Sequence, residues 1–140
     1  MTAVFIDTAV LMYAAGADHE LRAPSQEIVR RIATSDLEAV ISAEVVQEIL
    51  HRFVAIRRSE LGAAMARDAL DLFDPVLPVT HAVMSRMPGL IERYPALSAR
   101  HLVHVATCLE VGLPAIVSPD RGFDAVHELE RIDIPEAAAR

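Results

Sequence analysis

Two short apolar segments, each followed by an acid, constrain the fold of this chain most strongly. Residues 4–6 run directly into Asp7, and residues 114–118 lead to Asp120. Short runs of this kind, in a chain that also contains amphipathic helices, are typical of buried strands in a parallel sheet. Parallel strands bring their carboxyl ends to one edge, where open α/β sheets bind ligands. We therefore expect Asp7 and Asp120 to lie close together.

The composition indicates a single globular domain. The chain has 140 residues, 53% of them hydrophobic, which suffices for a proper core. We assign residues 1–135 to this domain and expect residues 136–140 to be a frayed tail. No apolar run reaches transmembrane length, and no secretory signal is recognisable. The single cysteine, Cys108, allows no internal disulfide and fits a reducing, cytoplasmic location.

The charge argues against a general nucleic-acid coat protein. The net charge is -7, although an acidic domain can bind nucleic acid where a metal ion neutralises the phosphates. Arg52, Arg57 and Arg58 cluster in sequence and could either form a solvated face or line a path for RNA phosphates. With four Phe, two Tyr and no Trp, we expect no single-strand stacking platform.

The remaining pattern predicts an α/β chain with strands and helices in alternation. Further strands are predicted at residues 38–42 and, with an edge-like character because of its prolines, at residues 75–79. Helices are predicted over residues 8–15, 24–33, 43–53, 57–73, 80–94 (with a break near 87–89) and 98–110. Residues 121–124 turn back into a short helix, and residues 126–134 close the fold.

Further acids are predicted near the same sheet edge. Asp124 follows Asp120 by about one helical turn, and Glu48 lies at the edge of the apolar stripe of its helix. Glu44 is expected to lie nearly opposite that stripe, in solvent. Each acid also has a simpler interpretation, since Asp7 could cap the following helix and Glu48 could be a solvated flank.

Several carboxylates at one sheet edge repel each other unless a cation neutralises them. Hard divalent ions with oxygen ligands, Mg²⁺ or Mn²⁺, suit such a cluster. A metal held by few carboxylates keeps bound water, which can become a nucleophile toward a phosphodiester. The acids thus favour a metal-dependent hydrolase.

Four segments carry a family resemblance: residues 5–8, 42–49, 97–106 and 116–124. In order and spacing the chain resembles PIN domains, and most closely the VapC-type toxins of bacterial toxin–antitoxin pairs. The resemblance implies a PIN-like fold, with a central, mostly parallel sheet flanked by helices on both sides. It implies a metal-dependent endoribonuclease that forms a homodimer and is inhibited by a cognate antitoxin. The acids of the family correspond to Asp7, Glu48, Asp120 and Asp124, and Ser118 supports the pocket by hydrogen bonding.

One position departs from the family pattern. His101 stands where the family has an Asp that usually ligates the metal directly. A neutral imidazole can ligate but brings no negative charge, and it favours Mn²⁺ or similar ions over Mg²⁺. The implied metal ligands are therefore Asp7, His101 and Asp120. The substitution also leaves open a catalytically weakened domain that binds RNA or antitoxin without efficient cleavage.

Two other interpretations are weighed against the nuclease. His101, His104 and Cys108 share one helical face, a spacing that zinc ligands also use, although ordinary core positions for His104 and Cys108 explain the same pattern. A phosphorylated receiver-like domain would need a Lys after its last strand, and this chain has no Lys.

Overall fold

The computed structural model describes residues 2–140 and shows an α/β fold, as predicted. A four-stranded parallel sheet has the order β2-β1-β3-β4. The strands are β1 (Val4–Ile6), β2 (Ala39–Val40), β3 (Ala115–Val117) and β4 (Glu130–Ile132). The domain assignment, whose first residue lies outside this range, stays a prediction.

Helices flank the sheet. They are α1 (Thr8–Ala15), α2 (Arg22–Ala33), α3 (Ala43–Ala55), α4 (Ser59–Leu72), α5 (His81–Ser85), α6 (Met87–Arg93), α7 (Ala99–Val111) and α8 (Ile134–Ala139). A 3-10 helix spans Arg121–Ala125 directly after β3. Within residues 2–140, no helix is both long enough and apolar enough to cross a membrane.

Strand β1 lies inside the sheet because its side chains are apolar on both faces. All of its residues are buried, as are those of β3 beside it. The pairing continues past the strand, since the Asp7 amide donates to the Val117 carbonyl at 3.0 Å. The carboxyl ends of β1 and β3 therefore meet, and the predicted position of Asp7 and Asp120 at one edge is confirmed.

Helices α3 and α4 pack against each other as a hairpin. A Cβ atom at Gly62 would lie 2.6 Å from the Cβ of Phe53, so a larger residue there would force the two helices apart. Helix α7 begins at Ser98, whose hydroxyl accepts the His101 amide, and ends at Gly112 with a φ of 78°. These ends agree with the sequence prediction.

Other predictions needed correction. The strand expected at residues 75–79 is reduced to a single parallel bridge between Leu77 and Ser42. Helix α2 begins two residues before Pro24, and the break between α5 and α6 falls before Met87. The tail expected to be frayed contains most of α8, in which Ala137 is 2% exposed and accepts a hydrogen bond from Arg31.

Candidate active site at the carboxyl edge of the sheet

Asp7 is a buried acid held by a neutral donor. Its residue exposure is only 3%, and its Oδ2 accepts a 2.6 Å hydrogen bond from the hydroxyl of Ser118. Asp7 occupies the N-cap position of α1, yet its side chain makes no capping hydrogen bond. The interpretation of Asp7 as a simple helix cap is therefore wrong. Its carboxylate points toward β3 because the bond to Ser118 holds it there.

Ser118 connects the two strand-end acids. While its hydroxyl donates to Asp7, the same oxygen accepts the backbone N–H of Asp120 at 3.0 Å. The supporting hydrogen bond expected of Ser118 is confirmed. Asp120 in turn caps the 3-10 helix, with its Oδ1 accepting the Gly122 amide at 2.8 Å. We call this chain of contacts, Asp7 to Ser118 to Asp120, the acid bridge.

His101 extends the acid bridge onto α7. Its Nδ1 lies 3.3 Å from Oδ2 of Asp120, the oxygen that Gly122 leaves free. The His101 side chain keeps 26% of its exposure, and its ring lies 4.9 Å from the ring of Phe123. The structure thus brings His101 beside Asp120, where the sequence alignment with the family predicted it.

His104 joins Asp7 to Glu48 from within the core. Its side chain is fully buried, with Nε2 2.7 Å from Glu48 Oε1 and 3.7 Å from Asp7 Oδ1. Nε2 of His104 and Oε1 of Glu48 lie close together but are poorly aligned for a hydrogen bond. Within residues 2–140, neither atom has a well-formed hydrogen-bond partner. Sequence reasoning treated His104 as an ordinary core residue. Its spacing of three from His101 was the available signal for a role at the site.

Glu48 therefore lies at the site, and it is not a solvated flank. Its side chain is 13% exposed. Burial raises the pKa of this carboxyl, but the adjacent His104 imidazole, the Thr8 hydroxyl and the charge of Arg100 outweigh burial. The net pKa of Glu48 lies below its ordinary value, which favours the ionised form.

The prediction for Glu44 was wrong. Glu44 is half-buried, because it precedes Glu48 by one helical turn and so lies on the same side of α3. Burial, followed by repulsion from Glu48, raises the pKa of Glu44 above its ordinary value, although His104 and Arg100 lower it in part. Two acids one turn apart on α3 are thus shifted in opposite directions.

Asp124 is separated from the acid bridge by an arginine. Its Oδ1 accepts a 2.9 Å bond from Nε of Arg131, and its side chain is 55% exposed. Arg131 also donates to the carbonyl of Ser118 at 3.0 Å and lies 3.7 Å from Asp133. The structure therefore connects Asp124 to the site only through a guanidinium, and the catalytic role predicted for Asp124 stays a prediction.

The zinc interpretation gains no support from the geometry. Cys108 is buried, and burial raises the pKa of its thiol to about 12. His101 contacts Asp120, and His104 contacts Glu48. Cys108 is accordingly a small buried core residue.

The donor chemistry of the site fits a hard divalent cation. Two bridged carboxylates lie beside an imidazole, and a buried Glu48 oxygen lacks a well-formed partner. Across residues 2–140, however, no three His, Cys, Asp or Glu side chains are gathered tightly enough to form a ready-made ion site. The residues fit an ion chemically, and their side chains would have to move closer together to enclose it.

Comparison with known proteins identifies the family. Residues 4–129 match the PIN domain family. The chain is 31% identical over 129 residues to Ribonuclease VapC13 of Mycobacterium tuberculosis, covering 92% of this chain and 98% of the relative. It is 36% identical over 118 residues to Ribonuclease VapC23 of the same species, covering 84% and 92%.

The fold comparison agrees. The crystal structure of VapBC2 from Rickettsia felis, bound to a DNA fragment from their promoter, superposes with a TM-score of 0.75. The alignment covers 94% of this chain and 98% of that one at 11% identity. The match over nearly the whole domain, together with relatives above 30% identity, shows that the chain belongs to the PIN-domain family and groups with its VapC members.

Proposed function

We propose that the protein is a metal-dependent endoribonuclease, the toxin of a VapBC-type toxin–antitoxin pair acting in the cytoplasm. The acid bridge carries this proposal. It holds two carboxylates at the carboxyl edge of a parallel sheet, and within residues 2–140 no arginine pairs with either of them. Carboxylates left without a cationic partner favour a bound cation. The relatives named ribonuclease supply the substrate class.

Each site residue has a proposed role. Asp7, Asp120 and His101 would hold Mg²⁺ or Mn²⁺, which when bound acidifies water and neutralises phosphate charge. Glu48 would accept a proton from the attacking water, because its lowered pKa and the adjacent His104 imidazole favour the ionised carboxylate. Asp124 would orient a water or a second ion, and it must then weaken its bond to Arg131.

A second candidate is a weakened PIN domain that binds RNA or its antitoxin without efficient cleavage. The specific observation in its favour is His101, whose imidazole lies beside Asp120 where the family resemblance implies a carboxylate. Replacing a negative ligand with a neutral one lowers the attraction for Mg²⁺ more than for Mn²⁺. The metal preference of cleavage separates the two candidates.

An antitoxin partner is part of the proposal. Solved structures with this fold include the VapBC2 assembly and a toxin–antitoxin complex from Klebsiella pneumoniae. This chain offers a suitable surface, since an apolar groove of about 380 Å³ lies between α1, α2 and α4. Such grooves accept the apolar face of an amphipathic helix. An Arg from the partner could pair with the acid bridge and compete with the metal.

A homodimer is also proposed. Large apolar side chains are exposed along α3 and at its junction with α4, among them Leu50, Val54 at 58%, Ile56 at 64% and Leu61. Several large apolar side chains exposed on neighbouring turns of a helical hairpin favour an interface. Light scattering should give the mass of a dimer. A strict monomer at high protein concentration would contradict the dimer without affecting the nuclease.

Cleavage of a structured RNA by the purified protein tests the nuclease directly. We expect cleavage in Mn²⁺ that stops when the ion is chelated. Asp7→Asn should abolish it, because the variant keeps the shape of the side chain but removes the charge of the acid bridge. Asp71→Asn on α4 is a matched control, since Asp71 is exposed and outside the site. Equal cleavage by the parent and Asp7→Asn would remove the acid bridge from catalysis.

A further inference from the structure

A cavity with both apolar and polar walls lies between α1 and α3. Its volume is about 490 Å³, and it is lined by residues of α1, by the turn that follows α1, and by Arg52 of α3. Ala9, in its wall, follows Asp7 by two residues. Arg52 follows Glu48 by four residues, which is about one turn or 6 Å along the helix. One wall residue on each of the two helices therefore lies within about one helical turn of a site acid.

An aromatic pair forms part of this cavity. The rings of Tyr13 and His19 stack with centroids 4.7 Å apart and an angle of 29° between their planes. His19 is further fixed because its Nδ1 accepts the backbone N–H of Leu21 at 3.0 Å. His19 is exposed and Tyr13 is half-buried, so a rigid ring backed by a second ring faces solvent. His19 adds an aromatic face beyond those of the Phe and Tyr residues.

Arg52 brings an available positive charge to the same cavity. Its side chain is exposed, and no ion pair joins it to a carboxylate in the described part of the chain. Asp18 also lines the cavity and supplies an acceptor of opposite charge. In RNA recognition a guanidinium binds a phosphate, and an aromatic ring stacks on the face of a base. A carboxylate can accept a hydrogen bond from an amino group on a base.

We propose that this cavity is a nucleotide subsite for RNA, next to the phosphodiester at the acid edge. One base stacks on His19, which Tyr13 supports, and Arg52 binds the adjoining phosphate. The assignment rests on the proposed ribonuclease function and names the residues that would position its substrate. The exposed guanidinium of Arg52, the carboxylate of Asp18 and the stacked rings favour a nucleotide over the apolar segment of a protein partner.

Binding of RNA to a protein that cannot cut it tests the subsite. The background is Asp7→Asn, and the probe is a fluorescein-labelled single-stranded RNA of about ten nucleotides, followed by anisotropy over a range of salt. Arg52→Gln should raise Kd about fivefold and reduce the slope of log K against log salt by about 0.7. Arg67→Gln is the matched control, because Arg67 is exposed on α4 and lines none of this cavity.

The ring is tested separately from the charge. His19→Ala should raise Kd about tenfold with an unchanged salt slope, because stacking releases no counterions. His19→Phe should bind like the background protein, since it restores an aromatic face. Unchanged binding in both Arg52→Gln and His19→Ala would overturn the subsite. The subsite would also be overturned if the RNA showed no saturable binding, or if Arg67→Gln weakened RNA binding as much as Arg52→Gln does. It would likewise be overturned if the two subsite variants lost antitoxin binding while keeping their affinity for RNA.

The same variants distinguish this subsite from the nuclease proposal. If the parent cuts RNA while Arg52→Gln and His19→Ala leave affinity unchanged, the nuclease stands and the subsite fails. If the parent and Asp7→Asn cut RNA equally while both subsite variants weaken binding, the subsite stands and the acid bridge is not catalytic.

Discussion

The two sides of the acid edge handle negative charge in different ways. On the β1 side, Asp7 is bound by a hydroxyl and faced by a buried imidazole. On the far side, beyond β3, Asp124 is bound by the guanidinium of Arg131. Both carboxylates have hydrogen-bond donors, but only Asp124 has a partner with a permanent positive charge.

This difference separates a candidate catalytic position from a structural one. Neutral donors fix the direction of a carboxylate while leaving its charge available to a cation. A guanidinium both fixes and neutralises, so Asp124 stabilises the loop after β3 in the ion-free protein. We therefore expect the β1 side to dominate activity and the Arg131 side to dominate stability.

The largest expected effect is on cleavage. Asp7→Asn should lower the rate at least about 1000-fold, whereas Asp124→Asn should lower it at most about tenfold, because Asp124 is already neutralised by Arg131. Single-turnover cleavage of one RNA in Mn²⁺ measures both. An equal loss in the two variants would mean that Asp124 leaves Arg131 when substrate binds, and the comparison would fail.

The next effect is on folding. Arg131→Gln should lower the free energy of unfolding by about 2 kcal/mol, because it leaves Asp124 and the Ser118 carbonyl without their donor. In the presence of a chelator, Asp7→Asn should be as stable as the parent or more so, since a buried charge is removed. Urea unfolding measures both, with the exposed Arg121→Gln as control. A destabilised Asp7→Asn paired with an unchanged Arg131→Gln would reverse the assignment.

A third prediction adds negative charge beside Asp120, at the β3 end of the acid bridge. His101→Asp places a carboxylate beside Asp120 and should raise the cleavage rate in Mg²⁺ about tenfold. The ratio of the cleavage rate in Mn²⁺ to that in Mg²⁺ should therefore fall. The comparison is with His101→Ala, which should cut no better than the parent. If His101→Asp fails to improve cleavage in Mg²⁺, then His101 does not occupy the position of a metal ligand.

The smallest expected effects distinguish two acids on α3. The pKa of Glu44 is raised in the folded protein, so Glu44 contributes to stability in acid, where it is protonated, and this contribution is lost as the pH rises. The Glu44→Gln variant should therefore be more stable than the parent at neutral pH, by roughly 0.5 kcal/mol after solvent screening. Glu48 has a lowered pKa, so its contribution is present at neutral pH and lost in acid; Glu48→Gln should be less stable than the parent near neutrality. Thermal unfolding from neutral to acid pH measures both, and shifts of the same sign would contradict the opposed environments.

The sequence predicted β1, β2 and β3 but did not indicate β4. Strands β1 and β3 are apolar throughout, so their pattern differs from that of a helix. Strand β4 contains Glu130 and Arg131 and buries only Ile132 fully, and such a short mixed segment has no clear period. Helices α1 and α7 end within one residue of the predicted positions, because a glycine directly follows each helix.

At the site, residues that follow a strand were predictable, and contacts between distant segments were not. Asp7 and Asp120 follow from the strand pattern alone. The partner of Asp124 could not be predicted, because Arg131 reaches it from a strand that the sequence did not indicate. The stack of Tyr13 on His19 spans a turn and matches no helical or strand period.

The strand order also fixes when the site can exist during synthesis. Asp7 is translated early, but its hydrogen-bond donor Ser118 follows 111 residues later. Because β3 must pair beside β1 before Ser118 and Asp120 reach that edge, a nascent chain that stops before β3 carries Asp7 without the rest of the acid bridge. If the acid bridge cuts RNA as proposed, we expect the growing polypeptide to be inactive on the ribosome that is making it, because the acid bridge is divided between early and late codons.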